Sequence, residues 1–139
     1  MPEPLTLAAG AIVGAIMGLV FVTHAAILLV WDPPPRLAQR AAESGASGLL
    51  MLASFAGFVA WQVIGLAAAA FFEFVYEQNP TSVSAIPSVV YLLAILFFSA
   101  MLTMPAVVIL QGRIRHIAFE CVLFLGLFGF LIPFLVWSS

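Results

Sequence analysis

Residues 87–137 read PSVVYLLAILFFSAMLTMPAVVILQGRIRHIAFECVLFLGLFGFLIPFLVW. Two long apolar runs are separated only by the polar break that starts at Gln111 and ends at Arg113 or Arg115. Each run exceeds the roughly 20 residues that a helix needs to cross a bilayer core. So short a break forces the two helices into an antiparallel hairpin. Working outward, two more runs qualify, and the expected spans are residues 5–31, 48–72, 87–110 and 114–137. In lipid the backbone must satisfy its own hydrogen bonds, as helices and closed barrels do. Barrel strands run to about ten residues and alternate in polarity, which these runs do not. The expected fold is all-α: a polytopic membrane protein, one domain over residues 1–139, built as a bundle of four transmembrane helices.

Composition agrees. The chain is 65% hydrophobic and 7% charged, against about 25% charged residues in an ordinary soluble domain. Its surface is therefore expected to meet lipid. The net charge of −2 offers no basic face for nucleic acid. A single cysteine, Cys121, excludes an internal disulfide. Met1-Pro2-Glu3-Pro4 lacks the positive region of a signal peptide, so the first run reads as a retained transmembrane helix.

The four basic residues are all arginines: Arg36, Arg40, Arg113 and Arg115. They sit in connections one and three, which must share a side of the membrane. The positive-inside rule makes that side cytoplasmic and puts both termini outside, with Glu3, Glu73 and Glu77. Trp31 and Trp137 fall at helix ends, where amphipathic rings favour the interface. In connection one, Asp32 can cap a short interfacial helix over 33–44, with prolines in its first turn and Gly45 at its end. Asn79-Pro80 marks a turn in connection two. Residues 22–29 (VTHAAILL) echo 102–109 (LTMPAVVI), a weak hint of a duplicated hairpin.

Gly10, Gly14 and Gly18 lie four apart on one helix face, in a glycine-zipper spacing that admits close approach of another backbone. Ala53 and Gly57 could supply the matching face within the chain, and another subunit is the alternative. Pro105 should kink the third helix by removing the bond to the Met101 carbonyl. Ser99 and Thr103 can help satisfy freed backbone groups. Pro133 should perturb the end of the fourth helix. The aromatic side chains of that helix, Phe119, Phe124, Phe128, Phe130, Phe134 and Trp137, suit lipid or packing contacts.

One ionisable cluster stands inside the apolar runs. His116 and Glu120 are four apart on one helix face and can pair directly. A rise of 1.5 Å per residue puts Glu120 about 10 Å below Arg113, with His24 and Met104 at a similar depth. Buried charges in a bilayer are costly and need partners. A self-satisfied ion pair, with Arg113 or Arg115 reaching toward it, is the simplest expectation. A proton or ion path through Glu120, His116 and Gln62 or Ser54 is a second. Haem b held by His24 with His116 or Met104 is a third. A metal site drawing on His24, His116, Glu120 and Cys121 is the weakest, because Glu120 and Cys121 point about 100° apart. No Ser/His/Asp order, phosphate-binding glycine loop or carboxylate pair indicates an enzyme.

These features lead first to a small non-catalytic integral membrane subunit of a larger assembly, with other subunits or copies of itself as partners beside the lipid bilayer. The alternatives are an oligomeric transporter or channel with Glu120 in its path, and a haem-b-binding redox subunit.

Overall fold

The computed structural model describes residues 2–78, 89–111 and 113–138. Its elements are α1 (Pro4–Trp31), α2 (Pro35–Ser44), α3 (Ala46–Gln78), α4 (Val89–Leu110), α5 (Ile114–Gly126), a π-helical turn (Leu127–Leu131) and α6 (Ile132–Ser138). No strand occurs among the described residues. The fold is all-α. Helix α1, most of α3, most of α4, and the continuous rod Ile114–Ser138 are the four stretches long and apolar enough to cross a membrane. Many of their large apolar side chains, such as Met51, Leu52, Phe55 and Phe97, are exposed and suited to lipid contact.

Helices α1 and α3 form the closest pair. Their approach follows from absent side chains. A Cβ on Gly10 would lie 2.5 Å from the Gly65 carbonyl oxygen, and one on Gly14 would lie 2.7 Å from that of Trp61. A Cβ on Gly18 would meet the Phe58 ring at 2.7 Å. The glycine face therefore lies against α3 of the same chain. Its partner is Gly65 with the Trp61 and Phe58 positions, not the Ala53–Gly57 pair expected. Gly57 instead receives the Phe21 ring, and Ala53 lines a cavity.

Helix α3 runs past the expected end at Phe72. No breaker precedes Asn79-Pro80, and buried Val75 continues its apolar contact. Glu73 and Glu77 therefore ride on its last turns. Both Glu73 carboxylate oxygens accept the Glu3 backbone N–H at 2.8 Å, which fastens the chain start to α3. The Asn79-Pro80 turn and residues 87–88 of the third expected span lie outside the described residues.

The short helix in connection one is present, but Asp32 does not cap it. Pro34 holds the N-cap position, and the Asp32 carboxylate takes two hydrogen bonds from the Arg113 guanidinium, at 2.7 and 2.9 Å. A planar guanidinium matches a carboxylate in this two-point manner. That contact joins connection one to connection three. Gly45 follows α2 at φ +84°, a conformation open to glycine without steric penalty.

Pro133 perturbs the last helix in a definite way. Lacking an N–H, it cannot complete the backbone ladder. The preceding turn has opened to π geometry, with the Ile132 N–H donating to the Leu127 carbonyl. In that register the Phe128 carbonyl would be served by residue 133, which has no proton to give. The Tyr91 hydroxyl donates to it instead, at 2.5 Å. Both Tyr91 and Phe128 are fully buried. Around them Val13, Met17, Ala69, Phe72, Ile95, Phe124 and Ile132 form the core.

Candidate functional site

The aromatic core divides the molecule. On the half that holds both termini, Phe72, Tyr91 and Trp137 pack edge to face, at ring separations of 5.1 and 5.7 Å. On the arginine-bearing half, the helices enclose a partly open cavity of about 360 Å³. Its floor is Trp61 and Phe124, which rest on Phe128. Leu37 of α2, Leu49 of α3 and Leu110 of α4 line it toward the arginine side. The lining is overwhelmingly apolar, with His24, Glu120, Ser99, Thr103 and Cys121 as its polar members.

Helix α1 carries His24 into contact with α5. Its Nδ1 lies 2.6 Å from Glu120 Oε1, and its Nε2 lies 2.5 Å from His116 Nδ1. The His24 side chain is 12% exposed and that of Glu120 is 21%. Phe119 packs edge-on against the His24 ring at 5.7 Å. Glu120 and His116 therefore do not join directly. The His24 ring, reaching over from α1, stands between them. This gives an unbroken sequence, His116–His24–Glu120, from the first turn of α5 to the cavity wall.

The proton arrangement follows from the donor inventory. With Glu120 ionised, His24 can carry both ring protons and donate one to each neighbour. Moving a proton along the first bond leaves Glu120 neutral. Moving one along the second leaves His116 as the cation. All three states keep both hydrogen bonds, so one proton can reside on any of the three groups.

A second tie crosses from α4 to α5. The Thr103 hydroxyl donates to the Ser99 carbonyl at 2.8 Å. Its oxygen lies 2.9 Å from Cys121 Sγ. A hydroxyl has one proton, so the Cys121 thiol is the donor in that contact. The carbonyl freed by Pro105 is that of Met101, so the Thr103 bond braces the preceding turn and does not serve it.

The remaining expected site residues are placed elsewhere. Met104 is 73% exposed and turned away from the cavity. His24 and His116 hold each other by a direct hydrogen bond. Two imidazoles on one zinc ion, each about 2.0–2.1 Å from the metal, would sit farther apart than this. A haem iron between them would likewise require the rings to part. Gln62 does not line the cavity. With its amide oriented to suit its neighbours, its nitrogen donates to the Ala11 carbonyl at 3.3 Å and its oxygen accepts from the Ala15 N–H at 3.0 Å. It clamps α3 to α1 beside the glycine contacts. Ser54 does not line the cavity either.

Arg113 turns to connection one and not to the cluster. Arg113 holds Asp32, and hydrogen bonding from its guanidinium keeps the Asp32 carboxyl below the usual 3.8. The positive fields of Arg113 and His116 act in the same direction. Of the three clustered groups, His116 is the one that acts on this pair. The echo between residues 22–29 and 102–109 does not place equivalent side chains. His24 turns inward where Met104 turns outward, and Thr23 is exposed where Thr103 lines the cavity.

Sequence reasoning missed two participants. Tyr91 as the partner of a proline-orphaned carbonyl was hinted at only by Pro133. Trp61 as the cavity floor had no signal in its neighbours. The chain matches no protein family, no curated protein and no solved structure.

Proposed function

We propose that the protein is a proton-linked membrane transport protein, with His116, His24 and Glu120 as its proton relay. The observation that carries this reading is the hydrogen-bonded sequence of three titratable groups ending on the wall of an intramembrane cavity. Ionisable groups at such depth mark proton and ion paths, and histidine changes charge near neutral pH. A transporter is favoured over an open channel. Beyond the floor of Trp61 and Phe124, the described residues form the packed aromatic core. By the positive-inside argument the cavity communicates with the cytoplasmic side, and both termini lie outside.

The test is infrared difference spectroscopy on the protein reconstituted in lipid, stepped between about pH 5 and pH 9. A carboxyl band should appear and disappear reversibly with pH, and Glu120→Gln should remove it. His24→Ala should shift it, because Glu120 loses its hydrogen-bond partner. A spectrum without any Glu120-dependent change over that range overturns the relay.

A place in a larger membrane assembly is a second reading, supported by α3. Only 6% of its most apolar membrane-spanning window is buried within the chain, leaving a long face for other subunits or a second copy. Crosslinking and mass analysis of gently extracted complexes test it. A monodisperse monomer with no copurifying subunit removes it.

A further inference from the structure

We infer that the cavity binds a lipophilic organic cation, which takes the place of the relay's mobile proton. The inference rests on the proton-linked reading above and adds the class of ligand.

The volume comes first. About 360 Å³ falls within the range of pockets that take small organic molecules, roughly 300–1,000 Å³. The apolar lining selects a ligand that partitions into lipid.

Charge decides the rest. With its mobile proton the His116–His24–Glu120 cluster is neutral. Without that proton it carries one negative charge in a low-dielectric setting, which is strongly unfavourable unless a cation compensates. Among the described residues no other cation is available there. Arg113 is held by Asp32, and Arg36, Arg40 and Arg115 do not line the cavity. Helices α2, α3 and α4 contribute no charged side chain to its lining, and Cys121 is engaged with Thr103. The compensating charge must therefore enter with the ligand. The three aromatic rings of the lining, Phe21, Trp61 and Phe124, suit a cation through their electron-rich faces. A hydrated metal ion fits poorly, because magnesium and calcium need about six or more oxygen ligands and Glu120 is the only carboxylate among the described residues of the lining. A lipophilic anion would face Glu120 unpaired. Cation entry and proton departure are consequently one exchange, in which the proton leaves the cluster for water through His116.

The experiment uses the full chain in lipid nanodiscs. Tetraphenylphosphonium is the probe, and tetraphenylborate is the control of the same shape and opposite charge. Empty nanodiscs provide the background. The phosphonium should bind more tightly near pH 8.5 than near pH 5.5, because cation and proton compete for one cluster. In weak buffer it should release about one proton per bound cation. Glu120→Gln should abolish both the pH dependence and the proton release, and the borate should not bind. Equal binding of the two ions, or phosphonium binding independent of pH, overturns the inference by reducing the cavity to a lipophilic sink. If Glu120→Gln does not fold, the wild-type pH dependence and the contrast between the two ions decide the matter. Absence of phosphonium binding beside an intact Glu120 infrared signal refutes the cation alone. Loss of that signal refutes the relay itself.

Discussion

The two halves of the bundle are both largely apolar and are packed differently. On the side of the termini, α1 and α3 touch through glycine and the aromatic rings of α3, α4 and the last helix interlock. On the arginine side, α1 and α3 still meet at Gly18 and Gly57, but the helices together leave a cavity, and His116, His24 and Glu120 are joined in sequence. Close packing of helices in lipid draws on van der Waals contact more than on the hydrophobic effect. A half that forgoes some of that contact loses stability and gains a site. Close packing and the cavity are thus separated along the bundle, with Trp61, Phe124 and Phe128 as the boundary.

Substitutions can break this contrast. The largest effect should come from Phe128→Ala, which removes a fully buried ring shared by both halves. A loss of about 3–5 kcal/mol is expected, read from unfolding in mixed micelles. Gly65→Ala should cost about 1–3 kcal/mol, because its Cβ would meet backbone atoms of Gly10 and Gly14 that cannot yield without parting the helices. Tyr91→Phe keeps the ring and leaves the Phe128 carbonyl without its hydroxyl donor. A loss of about 1–3 kcal/mol is expected, with the near-ultraviolet circular dichroism otherwise retained.

The cavity half should respond in the opposite sense. Ala106→Leu adds bulk at the cavity wall. It should be neutral or stabilising, by up to about 1 kcal/mol, while hindering phosphonium binding. A strongly destabilised Ala106→Leu protein would mean that the cavity is not the loosely filled region described.

The smallest effect concerns the exposed Asp32–Arg113 contact. The folded-state value of Asp32 is lowered by Arg113, so its contribution is present above pH 3.8 and is lost as the pH falls through the lower folded value. Asp32→Asn should lower the thermal midpoint slightly near pH 7. The difference from wild type should vanish once Asp32 is protonated. A difference that persists in strong acid would mean that Asp32 acts through something other than its charge.

Much of the site was legible as a level and little of it as a set of contacts. Counting residues inward from Arg113 and from Trp31 put Glu120 and His24 at one depth, and the two side chains do meet. The same count put Met104 there, yet Met104 faces outward. Depth along a helix depends on rise per residue, which is nearly constant. Facing depends on the rotation each helix takes when it packs, and neighbours set that rotation. His116 and Glu120 share a face at four-residue spacing, so a direct pair was the natural reading. Only the reach of His24 from α1 could put its ring between them. Gln62 shows the same limit: its polarity marked it as special, but its partners are the backbone of α1.

The sequence by itself determined the four spans, the all-α fold, the two arginine-bearing connections and the disturbance at Pro133. These follow from apolar run length and from the missing proline N–H, which are local properties. The tertiary structure decided that the glycines of α1 seat against Gly65, that Tyr91 serves the Phe128 carbonyl, and that His24 links His116 to Glu120 beside a cavity. Each of these joins residues far apart in the chain. The physical reason is that in an apolar setting nearly every helix face is equally greasy. Side-chain shape and the few polar groups that need partners, rather than hydrophobic patterning, select which faces meet.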